Sequence, residues 1–227
     1  MKSSVITFPG SNCDRDMDVA LNKFGFKNKM VWHDDVEIPK SDLVVLPGGF
    51  SYGDYLRCGS MASKSKIMNS VINFANSGGM VIGVCNGFQI LVETGLVPGV
   101  LLRNRYLEFI CKNVYVKINN KQNTYFRNID NDVLEFHIAH NEGNYFCTND
   151  QLKEIQNNEQ IAINYCNKDG IIDDQYNPNG SINNIAGIFN KEKNVLGMMP
   201  HPERMIDPSL SGEDGSLFFN NLINNLK

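Results

Sequence analysis

Short apolar runs separated by amphipathic segments mark the first half of the chain. Apart from Lys29, the runs at 29–32, 43–46 and 80–84 are continuously apolar, which is typical of strands covered on both faces of a sheet. Such strands alternating with helical segments predict a parallel sheet with right-handed crossovers. The predicted strands are 5–8, 29–32, 43–46 and 80–84, and the predicted helices are 14–24, 64–76 and 86–94.

Strands become more frequent in the second half. Val114, Val116 and Ile118 alternate with Tyr115 and Lys117, the period of a half-exposed strand. We find no internal repeat and no linker, so a single domain spanning 1–227 is expected, and the many asparagines indicate a compositional bias. Further strands are predicted at 133–139, 160–165, 184–189 and 194–199, loops at 119–131 and 173–181, and a closing helix at 217–226.

Composition narrows the functional classes. The 227 residues carry a formal net charge of -4 and a pI near 5.6, which offers no basic surface for nucleic acid or anionic lipid. No stretch approaches the roughly 18 apolar residues that span a membrane, and the N-terminal apolar run is too short for a signal peptide. The six cysteines lack the spacing of metal ligands. A cytoplasmic protein with free thiols and no bound metal is therefore expected.

One cysteine lies in an unusual local sequence. Gly83-Val84-Cys85-Asn86-Gly87 follows an apolar run and opens a predicted helix, as in a nucleophile elbow. The sharp turn strains the backbone, and glycine is needed two residues before and after it because larger side chains would collide. A helix N-terminus favours thiolate, and the Asn86 N–H is placed to stabilise an oxyanion. Cys85 is therefore the candidate nucleophile.

A thiol nucleophile needs a base, and the chain has four histidines. His201 follows the predicted strand 194–199 in Pro200-His201-Pro202-Glu203, where the two prolines hold the backbone extended. Residues two apart in extended backbone point the same way, so Glu203 can reach and orient the imidazole. His201 and Glu203 are thus the candidate base and its orienter.

The other histidines are weaker candidates. His140 ends the predicted strand 133–139 and could line the same cleft, although a strand-end histidine bonded to backbone is an open alternative. His33 and His137 are interpreted as structural or incidental.

A loop with paired glycines follows the predicted strand 43–46. Pro47-Gly48-Gly49-Phe50 lies at the carboxyl end of a parallel strand, where glycine lets the backbone approach a ligand closely. This loop precedes the elbow by one helix and one strand, so one of its N–H groups can supply a second oxyanion donor. The backbone of Gly49 and Asn86 is the predicted oxyanion hole.

Longer strings extend the pattern along essentially the whole chain. They are FPGSNCD at 8–14, GGFSYGDYLRCG at 48–59, GVCNGFQ at 83–89, NPNGS at 177–181 and PHPER at 200–204. Together with the late His-x-Glu, they resemble the class I, or triad, glutamine amidotransferases. Within that class they resemble the glutaminase subunits of phosphoribosylformylglycinamidine synthase.

The resemblance implies a flavodoxin-like α/β fold, with a mostly parallel central sheet flanked by helices and additional antiparallel strands in the second half. It implies Cys85 as nucleophile, His201 as base and Glu203 as its orienter. Asn141 stands where the family segment usually has glycine. The implied glutamine-binding residues are Gly48, Phe50, Gln89, His140 and Glu142.

The implied reaction is hydrolysis of glutamine to glutamate and ammonia through a cysteine thioester. Ammonia would pass to a large ATP-dependent synthetase subunit, often joined by a small accessory subunit. That subunit would convert formylglycinamide ribonucleotide to formylglycinamidine ribonucleotide in purine biosynthesis. No cofactor is expected on this chain, which lacks a G-x-x-x-x-G-K-[ST] motif, and ATP and magnesium are expected on the partner.

Three alternatives remain open at this stage. The chain could be a glutaminase subunit of another synthetase, a cysteine hydrolase on the same scaffold, or a catalytically inactive interaction subunit. The intact set of Cys85, His201 and Glu203 argues against the last of these. Cys13 and Cys58 lie within the family-like strings, but no physical role is assigned to them.

Overall fold

The computed structural model describes residues 1–210 and 212–226, so Ser211 and Lys227 of the expected domain lie outside the described residues. None of the described helices is long and apolar enough to cross a membrane. The strands are β1 Lys2–Thr7, β2 Lys27–Trp32, β3 Leu43–Leu46, β4 Met80–Val84, β5 Val100–Leu102, β6 Ile110–Ile118, β7 Val133–His140, β8 Asn144–Phe146, β9 Ile161–Cys166, β10 Ile185–Phe189 and β11 Val195–Met198. The α-helices are α1 Asp14–Lys23, α2 Lys66–Asn76, α3 Asn86–Glu93, α4 Asn149–Asn157 and α5 Asp214–Asn225.

One large sheet organises the molecule, with strand order β2-β1-β3-β4-β11-β10-β9-β6-β7. Neighbours from β2 to β11 run parallel. Neighbours from β11 to β7 run antiparallel, and β5 pairs with β8 in a small separate sheet. The predicted α/β fold, with a parallel centre and antiparallel strands added by the second half, is confirmed.

The central strands are buried along their length, as their apolar sequences predict. Every residue of β3 and of β11 is buried, which fits strands covered on both faces. Strand β2 is present as predicted, but the prediction that it is covered on both faces is wrong. Its exposed residues are Lys27, Lys29, Met30 and Trp32. In the described part of the chain, β2 pairs with β1 alone and forms the edge of the sheet. Lysines along a free edge discourage pairing with other chains.

Three elements are missing from the sequence-based prediction: β5, β8 and α4. The two strands are each three residues long, too short to show a period of two. Helix α4 begins with a capping box, in which Thr148 Oγ1 accepts from the Gln151 N–H and Gln151 Oε1 accepts from the Thr148 N–H. The Thr-x-x-Gln spacing is a sequence signal for a helix start, so α4 was predictable.

The predicted loop 119–131 is a turn region, but its interior is apolar and buried. Tyr125 and Ile129 both lie in the core. The Tyr125 hydroxyl is 2.9 Å from the Val81 carbonyl oxygen and 2.6 Å from that of Asn194. These carbonyls lie at the amino ends of β4 and β11. The loop therefore ties together the two strands that lead to the predicted nucleophile and base.

Replacing Tyr125 with phenylalanine should lower the free energy of unfolding by about 1–3 kcal/mol. The carbonyl oxygens of Val81 and Asn194 lose a buried donor, while the aromatic packing is retained. Urea denaturation at neutral pH measures the loss. Tyr106→Phe is the matched control because Tyr106 is 71% exposed, and its stability should stay within about 0.5 kcal/mol of the parent. Equal stability of the two variants would show that the hydroxyl does not anchor the strands.

Candidate active site

Four neighbouring parallel strands bring the candidate residues together. Strands β1, β3, β4 and β11 are adjacent in the sheet, and the carboxyl ends of parallel strands share one edge. Cys13 follows β1, Gly48 and Gly49 follow β3, Cys85 follows β4, and His201 follows β11. Residues that are distant along the chain therefore meet at a single edge of the sheet.

Cys85 occupies the turn between β4 and α3 with φ 50° and ψ -106°. This is a strained conformation for a residue other than glycine. A Cβ on Gly87 would lie 1.9 Å from the Leu46 carbonyl oxygen, and one on Gly83 would lie 2.6 Å from the Gly87 carbonyl oxygen. The predicted need for glycine on both sides of the nucleophile is confirmed, because any side chain there would collide with backbone.

The candidate base is fixed beside its partner. His201 Nδ1 and Glu203 Oε1 are 2.6 Å apart, and their side chains are 1% and 0% exposed. The His201 N–H donates to the His137 carbonyl oxygen at 2.8 Å, which ties this segment to β7. Gly48 packs against the ring so closely that a Cβ there would lie 2.6 Å from His201 Cε1. The imidazole therefore has little freedom to rotate.

Burial and charge act in opposite directions on His201. Burial alone would lower the pKa of the imidazole, but the charges of Glu203 and Cys85 raise that pKa above its usual range. Glu203 thereby stabilises the imidazolium that forms when the base takes a proton. Cys85 Sγ is directed toward the Ala139 carbonyl oxygen at 3.7 Å, and His201 Nε2 has no hydrogen-bond partner among the described residues. Nε2 is therefore available for proton transfer.

Local bonding decides which backbone N–H groups can serve an oxyanion. Asn86 is the first residue of α3, so its N–H has no acceptor within the helix. The Phe50 N–H donates to the Gly10 carbonyl oxygen at 2.9 Å, which removes Phe50 as a donor. The Ser51 N–H donates to Asn86 Oδ1 at 3.2 Å and fixes the glycine loop to the elbow. Gly49 and Asn86 remain the predicted oxyanion hole.

Two of the predicted glutamine-binding residues lie side by side. Gln89 Nε2 donates to the Glu142 carbonyl oxygen at 2.7 Å, and Gln89 Oε1 accepts from Asn86 Nδ2 at 2.9 Å. Asn86 Nδ2 also lies 3.4 Å from Asp54 Oδ1. Burial, and with it the charge of Glu142, raises the pKa of the Asp54 carboxyl. Sequence reasoning missed Asp54, although it stands within the family-like string 48–59.

His140 supports the loop that carries Glu142. Burial lowers the pKa of His140 to about 3, so its ring is neutral, and Nδ1 lies 3.0 Å from Asn104 Oδ1. Asn104 also accepts from the Gly143 N–H at 3.1 Å and donates to the Asn141 carbonyl oxygen at 2.9 Å. Asn141 is not among the residues with positive φ, so its backbone does not require glycine. Contact between His140 and glutamine stays a prediction.

A second thiol lies beside the base. Cys13 Sγ accepts from Arg204 Nη2 at 3.1 Å, and Arg204 Nε donates to Asp16 Oδ2 at 3.3 Å. Burial raises the pKa of Cys13 to about 12, so the thiol is protonated at neutral pH. These contacts join the segment after β1 to the segment after β11. No local sequence pattern could have revealed a contact over that separation.

A cavity of about 240 Å³ lies beside the nucleophile. Its volume is below that of most drug-sized ligand pockets, which suits one small molecule. The rings of Phe50 and Phe109, both about half exposed, lie 6.4 Å apart between their centroids. The lining residues are Asn12, Cys13, Gly49, Phe50, Cys85, Phe109, Cys111, Ala139, His201 and Arg204.

Acid should destabilise the fold through His140. Its pKa is about 3 in the folded chain and roughly 6.5 in the unfolded chain, so below pH 6.5 only the unfolded chain gains this proton. The protonation of His140 therefore does not change the free energy of unfolding above pH 6.5. As the pH falls from 6.5 toward 3, it lowers that free energy progressively. Between pH 6.5 and 4.5, His140→Asn should lose roughly 2 kcal/mol less unfolding free energy than the parent. Asparagine keeps a donor for Asn104 Oδ1.

Guanidinium denaturation at several pH values measures this difference. If His140→Asn loses stability with acid as steeply as the parent, His140 is not the group responsible.

Comparison with known proteins defines the family. The model of the CobB/CobQ-like glutamine amidotransferase domain matches residues 1–212. The phosphoribosylformylglycinamidine synthase subunit PurQ of Pelagibacter ubique is 79% identical over 227 residues, which is 100% of each chain. PurQ of Gloeobacter violaceus is 48% identical and covers 98% of this chain and 97% of its own.

Solved structures agree with this assignment. The structure of PurLQS from Thermotoga maritima matches with a TM-score of 0.87 and 38% identity, covering 100% of this chain and 99% of that chain. A glutamine amidotransferase from the same organism matches with a TM-score of 0.64 at 15% identity, covering 100% and 98%, and supports the fold alone. The chain belongs to the CobB/CobQ-like glutamine amidotransferase domain family and, within it, to the PurQ subunits of phosphoribosylformylglycinamidine synthase.

Proposed function

We propose that this chain is the glutaminase subunit of a phosphoribosylformylglycinamidine synthase and releases ammonia from glutamine for a separate synthetase subunit. The observation that carries the proposal is a strained Cys85 at a strand end beside the buried His201–Glu203 contact of 2.6 Å. The relative from Pelagibacter ubique, 79% identical, is a PurQ subunit of that synthase. We further propose that residues 1–227 act as one amidotransferase domain in the cytoplasm.

The proposed reaction begins when Cys85 Sγ attacks the side-chain amide carbon of glutamine. A carbon–sulfur bond forms, and the carbonyl oxygen becomes an oxyanion held by the N–H groups of Gly49 and Asn86. One such donor contributes about 2.7–4 kcal/mol to transition-state stabilisation. His201 passes the proton it took from the thiol to the amide nitrogen, the carbon–nitrogen bond breaks, and ammonia leaves a thioester behind.

Hydrolysis of the thioester completes the cycle. His201 takes a proton from water, the hydroxyl adds to the thioester carbon, and a second oxyanion occupies the same backbone site. The carbon–sulfur bond then breaks, glutamate leaves, and the proton returns to Cys85. Glu203 holds the imidazole in the tautomer that presents Nε2 to the sulfur and stabilises its charged form in both halves of the cycle.

We place the amino-acid end of glutamine between Asp54 and Glu142. Repulsion between these two carboxylates contributes to the raised pKa of Asp54. The nearest described cation to Glu142 is Arg103, whose Nε is 3.8 Å from Oε1 and whose side chain is largely exposed. A substrate ammonium would neutralise the pair, while Gln89 positions the loop that carries Glu142. Gly48 acts by making room for His201.

The surface around the cavity suits a partner subunit. Two loops that reach the cavity through Phe50 and Phe109 expose large apolar side chains, and we call this set the apolar rim: Phe50, Tyr55, Leu56, Tyr106, Leu107 and Phe109. Clustered exposed aromatic and aliphatic side chains mark interaction sites. Ammonia that escapes into water is protonated and is no longer a nucleophile, so the synthetase must cover the cavity. The rim supplies that contact.

The partners are proposed from a relative of known structure. That structure is of PurLQS, and we propose that this chain likewise joins a large synthetase subunit and a small accessory subunit. ATP and magnesium are assigned to the synthetase subunit. The chain described here supplies ammonia.

Replacing Cys85 with alanine should abolish glutamate release from glutamine, by at least about 1000-fold, because the acyl-carrying sulfur is lost. Release by the parent should rise when the cognate synthetase is present with ATP and formylglycinamide ribonucleotide. Cys147→Ala is the matched control, because this buried thiol does not line the catalytic cavity. A coupled glutamate dehydrogenase assay measures the rate.

The same assay separates the alternatives. Release that survives in Cys85→Ala would contradict the assignment of the nucleophile. Ammonia transfer only to a different synthetase would identify another amidotransferase, and cleavage of peptides without glutamine turnover would indicate a cysteine hydrolase. No release by the parent under any of these conditions would indicate an inactive interaction subunit.

Replacing Asp54 with asparagine should raise KM for glutamine by about 10- to 100-fold, because one charged hydrogen bond to the substrate ammonium is lost. The turnover number should change much less, since Asp54 does not contact the reacting atoms. Asp34→Asn is the control, because the Asp34 side chain is 59% exposed and pairs with Lys66. A fall in turnover at unchanged KM would place Asp54 in the chemistry rather than in substrate binding.

A further inference from the structure

One atom of the candidate triad has no role in the proposed hydrolysis of glutamine. Glu203 Oε1 contacts His201, but Glu203 Oε2 has no hydrogen-bond partner among the described residues. The Glu203 side chain is 0% exposed, so it is shielded from bulk solvent. A buried carboxylate oxygen without a donor costs free energy, and in native proteins such a group usually has a bound water or ion beside it.

Two other metal-binding groups lie next to this carboxylate. Cys13 Sγ, an imidazole nitrogen of His201 and a carboxylate oxygen of Glu203 all lie within 4.8 Å of one another, and all three residues are buried. Sulfur, imidazole nitrogen and carboxylate oxygen are the donors that zinc prefers. Ligand atoms around tetrahedral zinc lie roughly 3–4 Å apart. Side-chain shifts of about 1 Å would therefore bring the three donors onto one ion.

We infer that Cys13, His201 and Glu203 form a binding site for a thiophilic divalent cation, with zinc as the best-fitting ion. On binding, Cys13 and His201 each release one proton to solvent, a metal–sulfur and a metal–nitrogen bond replace the S–H and N–H bonds, and no electrons are transferred. His201 then holds the metal and no longer exchanges protons with Cys85. If the proposed function is correct, the cation therefore switches the glutaminase off.

The surroundings fit such an ion. Cys13 and His201 line the cavity beside the nucleophile, and Glu203 lines a second cavity of about 600 Å³. Arg204 donates to Cys13 Sγ at 3.1 Å, a hydrogen bond that orients the sulfur as outer groups do around metal ligands. Asp16, 3.3 Å from Arg204 Nε, offsets the guanidinium charge that would otherwise repel a cation.

The test is titration of the chelator-treated full chain with Co²⁺, followed by the sulfur-to-cobalt absorption band, and with Zn²⁺, followed by glutaminase inhibition. The parent should develop the band and be inhibited reversibly. Cys13→Ser should lose the band, and its inhibition constant for zinc, measured against its own uninhibited rate, should rise at least about tenfold. Circular dichroism and thermal melting without metal check that Cys13→Ser is folded.

Two matched variants make the result specific. Cys85→Ala should keep the cobalt band, because the site does not use the nucleophile. Cys111→Ala, which removes the exposed thiol of the same cavity, should keep both the band and the inhibition. A band lost in Cys85→Ala but kept in Cys13→Ser would mean only capture by the nucleophile and would overturn the inference, as would a parent that binds no metal. Because the cobalt band needs no glutamine, this result is independent of the proposed activity.

Discussion

The contact between Gly87 and the Leu46 carbonyl oxygen is the constraint on which the site depends. A Cβ at Gly87 would lie only 1.9 Å from that oxygen, so α3 packs directly on the end of β3. This approach leaves Cys85 no room for ordinary strand or helix geometry and holds it at φ 50°. Strain of this kind costs about 1–3 kcal/mol, which the buried strands on both sides must offset. The Cys85 thiol is thereby held beyond the end of β4, at the sheet edge where His201 also lies.

The parts of the site that could be predicted from the sequence are those set by neighbouring residues. The glycines around Cys85, and the extended spacing that joins His201 to Glu203, act over two residues, so the sequence displays them directly. Burial of β2 was predicted wrongly because its place at the sheet edge depends on the order of all the strands. Cys13 and Asp54 were missed as site residues for the same reason, since their partners come from distant segments.

The many asparagines have a structural use that composition alone conceals. Asn104 holds the loop around His140, and Asn194 donates to the carbonyl oxygens of Ala75 at 2.8 Å and Gly79 at 2.7 Å. Asn179 donates to the Gly143 carbonyl oxygen at 2.8 Å. An amide side chain offers both donors and an acceptor, so it can satisfy loop backbone that has no strand partner. Interpreting these residues as a compositional bias overlooked contacts made across the whole chain.

The burial of Glu203 strengthens its interaction with His201 and also leaves one of its oxygens without a hydrogen-bond donor. Excluding water strengthens the interaction between Glu203 and the imidazole, which keeps His201 oriented and basic. The same exclusion leaves the second carboxylate oxygen without a donor. In a carboxylate exposed to solvent, water would donate to the second oxygen. Such a carboxylate would hold the imidazole of His201 less firmly in one orientation. The thiol of Cys13, placed beside the same two residues, makes this corner of the site suited to an ion as well as to proton transfer. The proposed catalytic role of Glu203 and the proposed metal sensitivity therefore both depend on the burial of this side chain in the segment after β11.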